Sequence, residues 1–296
     1  MLAVSACFWG TGFFWGKLAL KELPVGPMLL YRFLFGCLGL LPFALARAGM
    51  RVRRADVPLF LAAAALGVPV QYIVQFEGLA RTTVSHASLM IGMVPMILAG
   101  AAVLFTGERL DRAGWALLGF STLGALLIAL GARHGQRAAG EPTLLGDALV
   151  VLSLFGGVAW VLLSKRLMGP EFGYSAFAVN AWVIFIGTAL LAVWVVAADG
   201  LPPVHLLPRT WLALVAPGLM VTALGSLLWN WGMARVPATQ AAAFVNIDPV
   251  VGTLLGMALL GERLGATAVV GGVLILGAAL TLALRGEASA PEVPPG

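Results

Sequence analysis

Ten runs of mostly apolar residues divide the chain, and charged or turn-forming residues separate each run from the next. An α-helix that crosses the hydrocarbon core of a bilayer needs about 20 such residues. Only 10% of the residues are charged and the mean hydropathy is +0.98, whereas soluble domains carry about 25% charged residues. We therefore predict an all-α membrane protein with ten transmembrane helices, at 2–20, 27–47, 57–79, 82–105, 111–131, 144–164, 173–198, 209–233, 237–260 and 264–284.

The first run is expected to be a transmembrane helix and not a cleaved signal peptide. Its positive charges, Lys17 and Lys21, follow the apolar stretch instead of preceding it. Cys7 and Cys37 fall inside predicted helices, where cysteine acts as a small buried hydrophobe, so we expect no disulfide, no metal site and no cofactor. The net charge of +5 resides mostly in loops, where it sets orientation and does not indicate nucleic-acid binding.

Two stretches of the chain are copies of one another. Residues 78–130 and 232–284 align without a gap at a constant offset of 154, with 13 of 53 positions identical. The motif Gly-Glu-Arg-Leu occurs at both 107–110 and 261–264, and Pro95 matches Pro249. These charged and proline matches are the informative ones, because leucine and alanine coincide by chance in apolar segments. We infer a duplication.

The duplication predicts an inverted repeat. Ten helices in two copies give five helices per copy, and an odd number forces the second copy to enter the membrane from the opposite side. We expect a first repeat at 1–131, a linker at 132–142, a second repeat at 143–284 and a disordered tail at 285–296. In such five-plus-five architectures a solute site forms near the bilayer midplane, between the two halves.

Lysine and arginine in the loops predict the orientation, because cytoplasmic loops are enriched in them. With the N-terminus inside, ten of these residues fall on the inner side and seven on the outer side, and a cluster at 47–54 lies in a short inner loop. We expect both termini in the cytoplasm and the chain in the cell membrane.

The two Gly-Glu-Arg-Leu motifs lie between one predicted helix and the next. A glutamate near the start of the following helix complements the dipole of that helix. We interpret Glu108, Arg109, Glu262 and Arg263 as tight charged turns at the headgroup level, with a gating ion pair as the alternative.

Pro95 and Pro249 fall near the middle of the fourth and ninth predicted helices. Each proline removes an amide donor, so the carbonyls of Ile91 and Val245 lose their helical partners. Interrupted helices at equivalent places in two halves point to a transport site and its gating. A kink that serves only packing is the alternative for both prolines.

Asp248 is a carboxylate near the centre of a predicted helix. Its partner in the other repeat is Val94, so the fold does not require a carboxylate at this place. Because an unpaired ionised carboxylate in hydrocarbon is costly, Asp248 should be paired, neutral or facing water. It is a candidate for binding a substrate amine or a coupling proton, or for bonding to the backbone that Pro249 frees.

Further polar and aromatic residues within the predicted helices suggest a polar and aromatic cavity. Buried amides also join helices together, and aromatic residues near helix ends also anchor at the interface. With Asp248, the candidate substrate-binding residues are Tyr72, Gln75, His86, Asn180, Trp182, Trp229, Asn230 and Asn246.

Three charged residues are predicted towards the outer face, namely Lys17, Arg32 and Glu77. They would form a pair or a ring at the entrance to a vestibule. The alternative is snorkelling to the headgroups, which we favour for Lys17. Gly252 and Gly256 have the spacing that lets helices pack closely.

On these features the chain resembles the drug/metabolite transporter superfamily, in its EamA-type branch, over residues 2–284. The resemblance implies ten helices in a five-plus-five inverted repeat, alternating access and, frequently, export of amino acids or other small metabolites. Asp248 departs from the family pattern, in which we expect an apolar or small residue at that position. The matching features are Trp9-Gly10 followed by Lys17, Arg32-Phe33, Gly78-Leu79, the two prolines and both Gly-Glu-Arg-Leu turns.

We predict a secondary transporter that exports a small metabolite. The favoured substrate is an amino acid, and an aromatic amino acid is one version of this hypothesis. The candidate coupling ion is a proton. The chain contains no nucleotide-binding loop, which disfavours ATP-driven pumping. Phosphorylated sugars or nucleotide-sugars are a less favoured class, because a phosphate site needs paired Lys or Arg deep in the helices. Neither HExxH nor GxSxG occurs, so we expect no enzyme. An intramembrane enzyme, a receptor or a scaffold is the alternative.

Overall fold

The structure is a computed structural model that describes residues 1–46, 49–106, 111–131, 142–235, 244–245 and 247–288. Within these ranges the regular secondary structure is helical and contains no strand. The helices are α1 (Leu2–Gly10), α2 (Gly12–Ala19), α3 (Val25–Ala46), α4 (Val57–Ala65), α5 (Gln71–Ala80), α6 (Val84–Ile91), α7 (Val94–Thr106), α8 (Arg112–Gly131), α9 (Leu144–Met168), α10 (Ala176–Asp199), α11 (Pro208–Pro217), α12 (Ser226–Met233), α13 (Ile247–Leu260) and α14 (Ala266–Ala288).

Five helical segments are long and apolar enough to cross a membrane, and shorter apolar helices accompany them. Large apolar side chains such as Leu38, Phe155 and Leu254 are exposed on the outside of the helices, as expected for surfaces that contact lipid chains. The prediction of an all-α, multi-pass membrane protein is confirmed. The five long segments are Val25–Ala46, Arg54–Ala80, Leu144–Met168, Ala176–Asp199 and Pro208–Met233.

Several helices begin and end at residues that complete their hydrogen bonding. The hydroxyls of Thr83, Thr143 and Ser175 accept from the backbone N–H three residues later and so cap α6, α9 and α10. Gly261 follows α13 with φ of +67°, a left-handed conformation that favours glycine. The first residue of the second Gly-Glu-Arg-Leu motif is therefore the stop of a helix.

Two helical segments contain a π-helical insertion. The first, Leu66–Val70, joins α4 to α5, and the second, Gly218–Gly225, joins α11 to α12. Adding the repeat offset of 154 to 66–70 gives 220–224, which lies inside the second insertion. Insertions of this kind concentrate at functional sites, and both lie directly beside the cavity described below.

Pro95 lies at the start of a helix and not within a continuous one. The helical run is interrupted at Gly92 and Met93, and Pro95 is the second residue of α7. Pro249 is the third residue of α13. A proline in the first turn gives up an N–H that has no helical partner in any case, so Pro95 breaks no hydrogen bond within α7. Asn246 lies outside the described residues, so the kink at Pro249 stays a prediction.

Helix α13 packs closely on α1 and α6 through glycine. A Cβ added at Gly252 would overlap Ser88 of α6 and lie 3.1 Å from the carbonyl oxygen of Gly10, and one added at Gly256 would overlap Ser85. The predicted close packing at Gly252 and Gly256 is confirmed.

Two predicted segments lie largely outside the described residues. The linker at 132–142 is described only at its last residue. Helix α14 continues to Ala288, so it includes the first four residues of the predicted tail.

Candidate functional site

A partly open cavity of about 100 Å³ is lined by residues of both halves of the chain. A single buried water needs roughly 10–15 Å³, so the cavity has room for a small solute or several waters. Apolar residues make up much of its wall, but polar and aromatic side chains are concentrated on it. The polar and aromatic lining consists of Trp9, Phe13, Arg32, Gln71, Tyr72, Gln75, Phe76, Trp160, Trp229 and Asp248.

Arg32 provides the positive charge of the cavity. Its side chain is 2% exposed, and its Nε donates to Thr222 Oγ1 at 3.1 Å, within the second π-helical insertion. The guanidinium carbon lies 5.2 Å from the centre of the Tyr72 ring and 5.4 Å from that of Phe76, at distances typical of cation–π contacts. Nη1 has no hydrogen-bond partner among the residues that the structure describes. Arg32 is thus held in place but retains a free donor group.

Asp248 is the acidic residue of the cavity. It is 7% exposed and lies in the first turn of α13, where the helix dipole favours a carboxylate. Its Oδ1 has no hydrogen-bond partner in the described part of the chain. Helix α1 fixes this position, because a Cβ added at Gly10 would lie 2.8 Å from the carbonyl oxygen of Asp248.

Arg32 and Asp248 line the same cavity without forming an ion pair with each other. Across the described ranges, no ion pair with an N···O distance of 4.0 Å or less joins Arg32 to Asp248. Both residues are buried, where an uncompensated charge is strongly unfavourable. The arrangement therefore favours a ligand that carries both a negative and a positive group.

Aromatic rings form two groups on the cavity wall. The Trp9 ring lies 4.9 Å from Trp229 and 6.2 Å from Trp160 between centroids, and Tyr72 stacks on Phe76 at 6.1 Å. The indole N–H groups of Trp9 and Trp229 have no acceptor among the described residues. The wall thus offers apolar ring faces together with donors for hydrogen bonds.

Four of the predicted binding residues line the cavity together, namely Tyr72, Gln75, Trp229 and Asp248. Gln71, one helical turn from Gln75, also lines it. The prediction missed Trp9, Phe76, Trp160 and above all Arg32, which it placed at a vestibule entrance or at the headgroups. A charged side chain well inside an apolar run is by itself a signal of function, and that signal was available for Arg32.

The other described candidates are not among the described residues that line this cavity, and their side chains bond elsewhere. His86 Nδ1 lies 3.1 Å from Asp147 Oδ2. Asn230 Nδ2 donates to Asn180 Oδ1 at 3.0 Å, which joins α12 to α10. Trp182 Nε1 donates to the backbone carbonyl of Met50 at 2.7 Å. Asn246 lies outside the described residues.

The charged turn at Glu262 has a different role from the one predicted. Its carboxylate accepts from the backbone N–H groups of Val84 and Ser85, at 2.8 and 2.7 Å, and from the Ser85 hydroxyl. Glu262 therefore caps α6 of the first repeat and not the helix that follows it. Arg263 is exposed, and Glu108 and Arg109 lie outside the described residues.

The outer charged residues form no ring. Lys17 does not snorkel, because its Nζ donates to the carbonyls of Leu79 and Thr82 at 2.9 and 2.6 Å and so caps the end of α5. Glu77 pairs with Arg81, one turn along the same helix.

Helices with exposed apolar surfaces of the kind that contact lipid, packed around a cavity, define a multi-pass membrane protein. The chain belongs to the EamA-like transporter family, whose sequence profile matches residues 1–130 and 144–284.

Relatives over nearly the full length are named as transporters or exporters. An uncharacterized transporter of Archaeoglobus fulgidus is 24% identical, with 96% of each chain covered. A probable terminal-alkyne amino-acid exporter of Streptantibioticus cattleyicolor is 28% identical, with 98% of this chain and 96% of the relative covered. The pseudopaline exporter CntI of Pseudomonas aeruginosa is 27% identical, with 90% and 88% covered.

A solved crystal structure has the same fold. It superposes with a TM-score of 0.69 at 19% identity and covers 98% of each chain. At this identity the likeness concerns the fold alone.

Proposed function

We propose that this protein exports a small zwitterionic metabolite, an amino acid with an apolar or aromatic side chain, across the cytoplasmic membrane by alternating access. The observation that carries the proposal is the presence of Arg32 and Asp248 in one cavity, each with a free polar atom and neither paired with the other. The names of two relatives as exporters support the direction of transport.

An α-amino acid supplies the groups that this cavity needs. Its carboxylate bonds to the guanidinium of Arg32, and its ammonium bonds to the carboxylate of Asp248. Charge-assisted hydrogen bonds of this type are about twice as strong as neutral ones. Both protein charges are then compensated, so binding relieves the burial of two separate ions.

The rest of the cavity suits an apolar substrate side chain. The ring faces of Trp9, Tyr72 and Trp229 and the apolar side chains of Leu98 and Val158 line the remaining wall. A phosphorylated sugar fits less well, because Arg32 is the one basic side chain among the described lining residues and Asp248 would repel a phosphate.

Ten membrane-crossing helices in two inverted repeats are the architecture that we propose for this function. The offset of 154 residues in the sequence and the matching positions of the two π-helical insertions support it. Reporters fused after residues 50 and 296 should be cytoplasmic, and one near 137 should be outside. A cytoplasmic location of the reporter near 137 would contradict an odd number of helices per repeat.

Counterflow in proteoliposomes tests the function. Vesicles with purified protein are loaded with one unlabelled amino acid at a time, and uptake of its labelled form is followed. We expect exchange of apolar or aromatic amino acids by the wild type and none by Arg32→Gln or by protein-free liposomes. Equal exchange by the wild type and Arg32→Gln would refute this site, and no exchange of any amino acid by the wild type would refute the substrate class.

A further inference from the structure

A second buried charged site lies apart from the cavity. The His86 Nδ1 atom is 3.1 Å from Asp147 Oδ2, and the Thr82 hydroxyl donates to Asp147 Oδ1 at 2.5 Å. His86 is 5% exposed and Asp147 is fully buried. Neither residue belongs to the described lining of the cavity. The proposed binding of an amino acid in the cavity therefore does not involve this pair.

The pair joins the two halves of the chain. His86 lies on α6 of the first repeat, and Asp147 lies in the first turn of α9, the first helix of the second repeat. The repeat partner of His86 is Gln240, which does not titrate. The fold therefore does not require an imidazole at this position. A difference of this kind between matched positions is expected where a residue has a function of its own.

Other charged groups surround the same turn between α5 and α6. Lys17 of α2 bonds to the carbonyl of Thr82, and Glu262, before α14, bonds to the start of α6. Glu77 of α5 and Arg81, which follows the end of that helix, form an exposed ion pair. Each of these groups has its own partner and none bonds to the side chain of His86 or Asp147 in the described part of the chain.

The pair binds one proton with a simple change in charge. With Asp147 ionised and His86 neutral, the pair would carry one negative charge. A proton on the free nitrogen of the imidazole gives an imidazolium beside a carboxylate, and the pair becomes neutral. Removal of a net charge from a buried site between two halves alters how readily those halves separate.

The site also lies close to one surface of the protein. The backbone N–H of Asp147 donates to the carbonyl of Thr143 at 3.0 Å, and Thr143 is exposed at the start of α9. One helical turn therefore separates Asp147 from an exposed residue.

We infer that His86 and Asp147 form the proton-binding site that couples substrate transport to a pH gradient. This inference rests on the proposed function, because it assigns the ion that drives the same transport cycle. Substrate and proton bind at separate places. Each binding event changes the charge near the contact between α6 and α9, and this contact couples the two events.

Two assays on the same proteoliposomes test the coupling. Counterflow at equal pH measures exchange and needs no net movement of protons. Accumulation driven by a pH step, with the membrane potential held at zero by valinomycin and equal potassium, measures coupling. One proton exchanged per substrate across one pH unit corresponds to a concentration ratio of about ten.

The informative variants are His86→Gln, which introduces the residue of the other repeat, and Asp147→Asn. We expect both to keep counterflow and to lose accumulation, with the ratio falling to about one. The matched control is His205→Gln, which changes an exposed histidine and should behave as the wild type does.

Three results would overturn this inference. The first is accumulation at the wild-type level in either variant. The second is a parallel loss of exchange and accumulation in both variants, which would indicate that the pair only holds the structure together. The third is a wild type that exchanges substrate but does not respond to the pH step. A wild type without counterflow would instead overturn the proposed function, together with the coupling built on it.

Discussion

Asp248→Asn is the sharpest test of the cavity, because it removes one charge and keeps the shape of the side chain. In the proposed complex Asp248 faces the substrate ammonium in a buried site. Hydrogen bonds to charged groups contribute about 1.5–3 kcal/mol, and removal of one member of a buried charge pair costs about 2–5 kcal/mol. A loss of about 2–3 kcal/mol corresponds to a rise of about 30- to 150-fold in the substrate concentration for half-maximal exchange.

The assay compares two substrates that differ in one group. One is the amino acid that the wild type exchanges best, and the other is the same carboxylic acid without its amine. Asp248→Asn should impair exchange of the amino acid and leave the deaminated acid unaffected or improved, because the acid offers no ammonium to Asp248. Arg32→Gln should impair both, because both substrates carry the carboxylate.

Asp199→Asn is the matched control, because it neutralises an exposed carboxylate at the end of α10. It should exchange substrate as the wild type does. The reasoning would be refuted by an Asp248→Asn protein that exchanges the amino acid with the half-saturation of the wild type. In that case Asp248 would only satisfy hydrogen bonds within the protein, which asparagine does as well.

Two further substitutions test how the helices around the cavity are held. Glu262→Gln removes the charge that caps α6 and should lower the free energy of unfolding by about 1–3 kcal/mol. The control, Arg263→Gln, should change it little. Equal melting temperatures of Glu262→Gln and the wild type in detergent would contradict the capping role. Gly252→Ala forces a Cβ against α6 and should destabilise the protein by about 1–3 kcal/mol, whereas Gly100→Ala, with no heavy atom within 4 Å of the new Cβ, should not. A Gly252→Ala protein as stable as the wild type would show that α13 can shift outwards freely.

Several parts of the molecule could be predicted without tertiary information. The apolar runs predicted helices, because in hydrocarbon a helix satisfies every backbone hydrogen bond within one segment. The isolated carboxylate of Asp248 predicted a binding residue, because a charge within an apolar run must have a use or a partner. Tyr72, Gln75 and Trp229 followed from the same search for polar and ring-bearing residues inside helices.

Other residues could not be placed in this way. His86, Asn180 and Trp182 carry the same polar signal as the cavity residues, but their partners are Asp147, Asn230 and the backbone of Met50. A helix that is apolar on nearly all sides gives no sign of which face points inwards. Polarity inside a predicted helix therefore indicated that a residue has a partner and left the identity of that partner open.

Local composition and the spacing of matched residues were enough to predict that this chain is helical, lies in a membrane and contains a duplication. The tertiary structure was needed to show that Arg32 and Asp248 line one cavity and that Glu262 caps α6. The partner of Arg32, Thr222, is 190 residues away in the chain. Contacts over such distances depend on how the helices pack against each other, and that packing is fixed by close-fitting residues such as Gly10 and not by the hydropathy of any single helix.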